Sequence, residues 1–266
     1  MNKLLKIVQI QFNPRIGEPD KNLQEVKSLL AKSSGADLVI LPELSNSGYN
    51  FLDRNHALSL ASAVEESEYV NSLLEVAREN DQHIVTGFHE KEGDELFNTS
   101  LFITPGGEIG KYRKIHLFMN EKEIFSPGNA GLPVFNMNGI RLGMLICFDY
   151  LFPEIWRIMG LKDVDLIAHP SNLVTYKAFK VVPAQAVINR FFIFTTNRYG
   201  TERDVSFSGR TFAVDPEGDV IAEASANKTE ILESFIDPLK ARNKMITAKN
   251  HVLDDRRPDQ YHEMEG

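Results

Sequence analysis

Apolar positions follow two different periods along the first half of the chain. Short runs rich in β-branched residues occupy residues 4–10, 37–41 and 84–88, and they predict strands. Apolar residues recur at helical spacing between them, over 22–31 and 69–79, which predicts two amphipathic helices. The pattern therefore predicts strand, helix, strand, helix, strand.

Turn residues predict two hairpins farther along the chain. The strand-like residues 101–104 are followed by Pro-Gly-Gly at 105–107 and then by a second strand-like run at 109–112. Residues 212–214 are followed in the same way by Asp-Pro-Glu-Gly at 215–218 and by 220–222. Hairpins pair their strands antiparallel, so the chain is expected to contain mixed sheets.

The second half of the chain returns to alternating strands and helices. Residues 141–146 form a nearly continuous apolar strand, and Pro153 opens a helix whose apolar residues Ile155, Ile158 and Met159 keep helical spacing. A strand at 164–168, a helix around 182–188 and a strand at 191–196 follow. The whole pattern predicts a layered α/β protein with mixed sheets.

Composition adds limits on size, partners and location. Nothing in the 266 residues marks a boundary, so we expect one domain over 1–266, ending in a polar tail. A net charge of −8 and a pI near 5.4 argue against a general nucleic-acid binder. No apolar run approaches the roughly 20 residues that cross a bilayer, and the N-terminus begins as a strand rather than a signal sequence. We therefore expect no membrane partner and a cytoplasmic protein.

The single cysteine, Cys147, is the first candidate for chemistry. It follows the strand at 141–146 and precedes the helix at Pro153, a turn that projects a side chain into the loop region. Most free cysteines are instead small buried hydrophobes. Because activating a thiol at neutral pH costs about 2 kcal/mol, a reactive Cys147 needs a base. Any of seven histidines could serve from a distant segment, so a cysteine peptidase or acyltransferase stays open.

Two other residues stand where chemistry is expected. Glu43 ends a buried strand just after Pro42, and carboxylates at such strand ends commonly face a ligand crevice. Lys114 lies just beyond the first predicted hairpin, among other cations. Taken singly, Glu43 would be a capping or surface residue and Lys114 part of a solvated loop.

Together, three segments resemble the signature motifs of the nitrilase superfamily, the carbon–nitrogen hydrolases. They are Leu-Pro-Glu at 41–43, Tyr-Arg-Lys-Ile-His-Leu at 112–117 and Leu-Ile-Cys-Phe-Asp at 145–149. The likeness continues through 152–157, 169–172 and 208–211 to Asp-Arg-Arg-Pro at 255–258, and so covers nearly the whole chain. Three motifs in register are far more specific than any one of them.

The resemblance implies a fold and a set of roles. The fold is a four-layer αββα sandwich with two mixed β-sheets, of which two copies usually pair, so we expect a homodimer or higher homo-oligomer with the tail from about 250 packing on the partner. Glu43 is implied to be the general base, Cys147 the nucleophile and Lys114 the stabiliser of the tetrahedral intermediate. A second glutamate is implied near the lysine motif, and Glu121 matches the usual offset better than Glu123. No cofactor and no metal are required.

The substrate is less sharply defined. Relatives that act on N-carbamoyl amino acids place arginines just after the position of Asn172, where this chain has Leu173 and Val174, so a free carboxylate is disfavoured. Candidate substrate-binding residues, for each of which plain packing is the alternative, are Tyr49, Phe125, Phe148 and Asn172.

The leading hypothesis is an amidase that converts a small aliphatic amide to a carboxylic acid and ammonia through a cysteine thioester. A nitrilase acting on a small aliphatic nitrile is the nearest alternative, followed by an N-carbamoyl amine hydrolase. Outside this class stand a Cys/His peptidase or acyltransferase and a catalytically silent binding protein with the same fold.

Overall fold

Two six-stranded mixed sheets form the centre of the computed structural model, which describes residues 4–261. The strands of the first sheet are β1 (Leu5–Gln11), β2 (Leu38–Ile40), β3 (His83–Glu92), β4 (Glu95–Ile103), β5 (Ile109–Arg113) and β14 (Glu230–Ile236). Their order is β14-β1-β2-β3-β4-β5. The pairs β1–β2 and β2–β3 are parallel, and the other pairs are antiparallel.

The second sheet has the same size and a similar mixture of pairings. Its strands are β6 (Val134–Met137), β7 (Ile140–Met144), β8 (Leu166–Ser171), β9 (Phe192–Asn197), β12 (Phe212–Val214) and β13 (Val220–Glu223), in the order β13-β12-β9-β8-β7-β6. Two short hairpins lie outside the sheets, β10 (Tyr199–Glu202) with β11 (Val205–Ser208), and β15 (Met245–Thr247) with β16 (Asn250–His251).

Six helices accompany the strands over the described residues. They are α1 (Pro19–Leu30), α2 (Arg54–Leu60), α3 (Glu68–Glu79), α4 (Glu121–Ile124), α5 (Pro153–Leu161) and α6 (Ala178–Asn189). Buried residues of α1 and α3 share one apolar cluster with the first sheet, and those of α5 and α6 share another with the second. No helix within residues 4–261 has the length and apolar character needed to span a membrane.

The two sheets face each other because their strands alternate in the direction of their side chains. On β2, Leu38 and Ile40 join the cluster that includes the second sheet, whereas Val39 joins the cluster with α1 and α3. Polar contacts cross the same gap, since the Gln9 side-chain amide donates to Thr196 Oγ1 at 3.1 Å. The layers therefore run helix, sheet, sheet, helix, which confirms the predicted fold class.

Several element predictions need correction. The predicted strand at 101–104 is the end of β4, which begins at Glu95 and pairs with the whole of β3. The sequence pattern did not predict β6, β14 or the β10–β11 hairpin. Ile158, expected on the buried face of α5, is 40% exposed. The hairpin β12–β13 and the helix that begins at Pro153 are confirmed.

The tail packs on its own chain where it is described. Leu253 is buried, and Arg157 Nη1 donates to the Val252 carbonyl at 3.4 Å. Packing on a partner subunit stays a prediction, as does the single domain over 1–266, whose residues 1–3 and 262–266 lie outside the described part.

Candidate active site

Cys147 opens a tight 3-10 turn, Cys147–Leu151, three residues after β7 ends. Its φ of 43° lies in the left-handed region, which is uncommon for a residue other than glycine and is kept only where the surroundings fix it. The Cys147 carbonyl oxygen lies 3.0 Å from His169 Nε2. The side chain is 6% exposed, so the turn presents a buried thiol rather than a surface one.

Asp149 ties this turn to the first sheet. Its Oδ2 accepts hydrogen bonds from the Ile146 backbone N–H at 2.9 Å and from the Tyr112 hydroxyl at 2.7 Å. Its Oδ1 lies 2.8 Å from His116 Nδ1. Because Asp149 is fully buried, these contacts fix where Cys147 lies relative to β5.

Glu43 reaches the same region from the end of β2. The residue is fully buried, and its Oε1 accepts hydrogen bonds from Asn98 Nδ2 and Lys114 Nζ, each at 2.7 Å. The other oxygen, Oε2, has no hydrogen-bond partner among the described residues. The neighbouring strand β3 passes so close that a Cβ on Gly87 would lie 2.4 Å from Glu43 Cα, so only glycine fits there.

Lys114 lies between two carboxylates. Its Nζ donates to Glu43 Oε1 at 2.7 Å and to Glu121 Oε1 at 2.8 Å, and its backbone N–H donates to the Asn98 carbonyl at 2.8 Å. Burial opposes the charge of the lysine, but the two carboxylates outweigh burial and raise the Lys114 pKa above its usual range. Lys114 is therefore an ammonium held in a fixed position.

Glu121 is the glutamate at the lysine, and Glu123 is not. Glu121 is 3% exposed, and its Oε2 accepts the Phe118 backbone N–H at 3.1 Å, whereas Glu123 is exposed on α4. Burial and the charge of Glu43 raise the Glu121 pKa, against the opposing effect of Lys114. Of the two glutamates that the sequence left as candidates, the structure brings only Glu121 into the buried cluster.

The thiol of Cys147 responds to all three charged groups. Burial raises its pKa well above the usual range, Glu43 and Glu121 raise it further, and Lys114 opposes them. The resting group is consequently a thiol and not a thiolate. His169 touches Cys147 through the carbonyl and not the sulfur, and burial lowers the His169 pKa to about 4, so this histidine is neutral at neutral pH.

Two adjoining spaces open beside the thiol. A hollow of about 20 Å³ is lined by Cys147, Phe148 and Asn172, and a chamber of about 290 Å³ is lined by Tyr49, Phe125 and Glu121 among others. Phe118 and Val174 line both. The four predicted substrate-binding residues thus lie on these two walls, two on each. The side-chain oxygen and nitrogen of the buried Asn172 have no hydrogen-bond partner within the described chain.

Three residues of the site were missed from the sequence, namely Asn98, Asp149 and His169. Asp149 and His169 each gave a signal, since one follows Cys147 inside the third motif and the other interrupts the apolar run of β8. Asn98 gave none, because nothing local distinguishes it from the other polar residues of β4. Among residues 4–261, no group of three His, Cys, Asp or Glu is arranged to hold a metal ion.

Comparison with known proteins places this geometry in a family. The carbon-nitrogen hydrolase family model matches residues 6–243. A nitrilase of Pyrococcus abyssi is 41% identical over 260 residues, covering 97% of this chain and 99% of the relative. The chain therefore belongs to the carbon–nitrogen hydrolase family.

Solved structures agree with that assignment. The crystal structure of an amidase from Nesterenkonia sp. superposes with a TM-score of 0.85 at 25% identity, covering 99% of this chain and 98% of that one. A mutant of the Nesterenkonia sp. AN1 amidase superposes with a TM-score of 0.82 at 25% identity, covering 96% of this chain and 94% of that one. That mutant shows covalent addition of the acetamide moiety of fluoroacetamide at its active-site cysteine. This chain shares the nitrilase-superfamily architecture of those amidases.

Proposed function

We propose that the protein hydrolyses a small, uncharged aliphatic amide to a carboxylic acid and ammonia, with Cys147 as nucleophile, Glu43 as general base and Lys114 as the group that stabilises the oxyanion. The observation that carries the proposal is the buried row Glu43–Lys114–Glu121, whose charges act on the Cys147 thiol. Burying three charged groups costs free energy of folding. Groups with strongly shifted pKa values beside a cavity are typical of catalytic sites.

The first step uses the unpartnered oxygen of Glu43. Because Oε1 already accepts from Lys114 and Asn98, Oε2 is the oxygen left to take the thiol proton. The raised pKa of Cys147 keeps the proton on sulfur until a carbonyl carbon is in place. Deprotonation by Glu43 then accompanies attack, and no persistent thiolate is needed.

Attack creates a negative oxygen that the site must stabilise. An ammonium has three N–H donors. Lys114 donates two of them to Glu43 and Glu121, so the third is left for this oxygen. The Phe148 backbone N–H is a second donor, since the first N–H groups of a helical turn lack partners within it. Fixed donors of this kind are often the largest single contribution to acyl transfer.

The remaining steps return every group to its starting state. The protonated Glu43 passes its proton to the nitrogen, the C–N bond breaks, and ammonia leaves a thioester on Cys147. Water then attacks the thioester carbon while Glu43 accepts a proton from that water. The C–S bond breaks, Glu43 passes the proton to the departing sulfur, and the carboxylic acid, the Cys147 thiol and the Glu43 carboxylate result. In this scheme Glu121 keeps Lys114 in position throughout.

The two spaces beside Cys147 support a small substrate without a carboxylate. A chamber of about 290 Å³ lies at the lower end of the range for ligand pockets. No lysine, arginine or histidine lines it or the hollow among the described residues. Leu173 and Val174 stand where an arginine would have bound a free carboxylate, which places N-carbamoyl amino acids behind simple amides.

A nitrile is the second candidate. The relative at 41% identity carries the name nitrilase. Attack of Cys147 on a nitrile carbon gives a thioimidate, to which water adds before ammonia leaves, so the same three residues suffice. Matched pairs of substrates separate the two activities.

A screen for ammonia release tests both activities directly. Short aliphatic amides, the nitriles of the same carbon skeleton and N-carbamoyl amines are offered to wild type and to Cys147→Ala, Lys114→Ala and Glu43→Gln. Turnover of short amides is expected only in wild type and in the matched control Lys122→Ala, whose lysine is exposed. Intact mass after a substrate quench is expected to show the acyl adduct on Cys147, the chain's single cysteine.

Three outcomes would overturn the proposal. Equal turnover by Cys147→Ala would remove the nucleophile. Loss of turnover on replacing a histidine, with Glu43→Gln tolerated, would indicate a Cys/His enzyme. No turnover on any of the three substrate classes would indicate a silent binding protein.

The proposal includes a homodimer. Apolar side chains of α5 and α6 are exposed in the single chain, among them Ile158, Leu161 and Ile188 at 40%, 45% and 41%. A second copy packing on this face would bury them. Light scattering after size exclusion is expected to give twice the chain mass of 30.1 kDa, and Ile158→Glu with Ile188→Glu is expected to give the monomer.

A further inference from the structure

A buried ion pair lies behind Tyr49 and Asn50, two residues that line the chamber. Arg198, fully buried just after β9, pairs through Nη1 with Glu202, which is 5% exposed at the end of β10. Arg198 Nη2 also donates to the Pro14 carbonyl at 2.8 Å, and its guanidinium carbon lies 4.0 Å above the centre of the Phe207 ring. These three attachments leave the arginine, and therefore Glu202, little freedom.

The carboxylate of Glu202 holds the backbone of the chamber wall. Its Oε2 accepts the backbone N–H groups of Tyr49 at 3.0 Å and of Asn50 at 2.7 Å. Asn50 Nδ2 donates in turn to the Glu202 carbonyl at 3.0 Å. The preceding Gly48 has a φ of 81°, and a Cβ there would lie 2.8 Å from Glu202 Oε1, so the segment fits closely around the carboxylate.

The Tyr49 side chain continues from this anchor to the catalytic cluster. Its ring packs edge-to-face on Phe207, with centroids 5.8 Å apart, so one ring contacts both Tyr49 and Arg198. Tyr49 and Glu121 line the same chamber, and burial and the charge of Glu121 raise the Tyr49 pKa. Glu121 in turn receives Lys114 Nζ. Hydrogen bonds thus lead from Arg198 through Glu202 to the Tyr49 backbone and from Glu121 to Lys114, and Tyr49 and Glu121 lie on the same chamber wall.

We infer that Glu202 is a positioning residue that acts through Tyr49: it fixes the backbone at Tyr49 and Asn50 so that the tyrosine stays beside Glu121 on the chamber wall and Glu121 stays on Lys114. The effect on turnover rests on the proposed amide hydrolysis. Glu202 itself lines neither the hollow nor the chamber, so it acts without touching substrate. This positioning role explains why Glu202 and Arg198 are buried together although neither lines the hollow or the chamber.

A double-mutant cycle tests the route. In Glu202→Gln the neutral amide no longer matches Arg198 and holds the two N–H groups less firmly, so kcat is expected to fall about tenfold to a hundredfold. Tyr49→Phe removes the hydroxyl alone and is expected to lower kcat by a similar factor. Because both changes break the same route, adding Glu202→Gln to Tyr49→Phe is expected to lower kcat by less than about threefold more.

A control variant separates positioning from the mere loss of an arginine's partner. Glu217 pairs with another buried arginine, Arg190, at the β12–β13 turn, but its own side chain is 63% exposed and lies outside both spaces. Glu217→Gln therefore also leaves a buried arginine without its carboxylate, and it is expected to lower the Tm less than Glu202→Gln does. It is expected to leave kcat unchanged.

Alkylation by iodoacetamide supplies a readout that needs no turnover. The chain has one cysteine, so the rate of labelling reports Cys147 alone. A mobile Tyr49 admits water to the buried cluster of Cys147, Glu43, Lys114 and Glu121. Labelling at neutral pH is therefore expected to be about threefold to tenfold faster in Glu202→Gln and Tyr49→Phe than in wild type. Glu217→Gln is expected to label at the wild-type rate.

The outcomes distinguish this inference from the proposed function. Faster labelling in those two variants, in a protein that turns over no amide or nitrile, would retain the role of Glu202 and reject the hydrolase. Turnover by wild type, with kcat and labelling of Glu202→Gln equal to those of Glu217→Gln, would reject the role of Glu202. Fully additive losses in the cycle would also reject it.

Discussion

The hydroxyl of Tyr112 donates to Asp149 at 2.7 Å and thereby joins the two sheets at the site. Tyr112 lies on β5, two residues before Lys114, and Asp149 lies two residues after Cys147. One hydrogen bond between the flanking residues therefore fixes the spacing between the ammonium and the sulfur.

Removing that hydrogen bond is expected to reduce activity more than stability alone explains. Tyr112→Phe leaves one oxygen of a buried carboxylate with fewer donors, which costs about 1–3 kcal/mol of the free energy of unfolding. The matched control is Tyr69→Phe, since the Tyr69 hydroxyl is also buried, 2.9 Å from Thr86 Oγ1, where the first sheet packs on α3. Urea denaturation should give similar losses, whereas kcat should fall only in Tyr112→Phe. Equal kcat values would show that the contact serves folding alone.

The two glutamates of α4 provide a second matched pair. Glu121→Gln removes one of the two carboxylates that hold Lys114 and is expected to lower kcat about a hundredfold or more. Glu123→Gln changes an exposed residue of the same helix turn and is expected to leave kcat unchanged. Steady-state kinetics decide between them, and comparable losses in both variants would remove Glu121 from its assigned place.

Acid should destabilise the protein through two buried histidines. Burial lowers the pKa of His89 to about 3 and that of His169 to about 4, below the unfolded value near 6.5. The unfolded state therefore binds more protons below pH 6.5. The stability that the neutral histidines contribute is fully present above that pH. It is lost as the pH falls toward 4, and the free energy of unfolding then drops by about 1.4 kcal/mol per pH unit for each histidine.

His89→Leu tests this acid sensitivity. Neither ring nitrogen of His89 has a hydrogen-bond partner within the described residues, and the ring packs between Phe51 and Phe125, with centroids 4.7 and 5.4 Å away. Leucine fits such surroundings, so the free energy of unfolding at pH 7 is expected to change by less than about 1.5 kcal/mol. Between pH 6 and 4.5, the slope of the free energy of unfolding against pH should correspond to about one proton fewer taken up on unfolding than in wild type. An unchanged slope would contradict the role of His89.

Val174 is expected to control the charge of the substrate. It lines both the hollow and the chamber, which hold no cationic side chain among the described residues. Val174→Arg should lower kcat/KM for uncharged amides at least tenfold and raise it for N-carbamoyl amino acids, because an arginine can pair with their carboxylate. Val220→Arg, at an exposed position of β13, is the control. Unchanged preference in Val174→Arg would place the substrate elsewhere.

The sequence predicted the strands that are buried on both faces better than the others. β2 and β9 are buried at every position and were found within about two residues of their ends. β14 was missed because most of its positions are half-buried or exposed and two of them carry Glu230 and Glu233, so its apolar pattern is weak. The first half of β4 was missed because Glu95 begins it and polar residues follow at Asn98 and Thr99, of which Asn98 contacts Glu43. The apolar pattern of a sequence indicates which strands are buried in the core. It does not predict strands whose positions are exposed or carry polar side chains of the site.

The candidate site shows the same division. Glu43, Lys114 and Cys147 lie in short motifs that can be recognised, and the structure brings them together. Asn98 holds Glu43 at 2.7 Å across a separation of 55 residues, and the hairpin β3–β4 that delivers it was only partly predicted. Contacts of this kind depend on the pairing of distant strands, which one sequence does not reveal.

The row of Glu43, Lys114 and Glu121 also bears on what happens after hydrolysis. With both glutamates charged, two carboxylates and one ammonium leave a single net negative charge in a place closed to water. A neutral amide enters such a place without repulsion, whereas an acid that ionises there meets like charge at close range. In the proposed mechanism, the groups that activate the thiol therefore also help to expel the product, and weak product inhibition is the expected result.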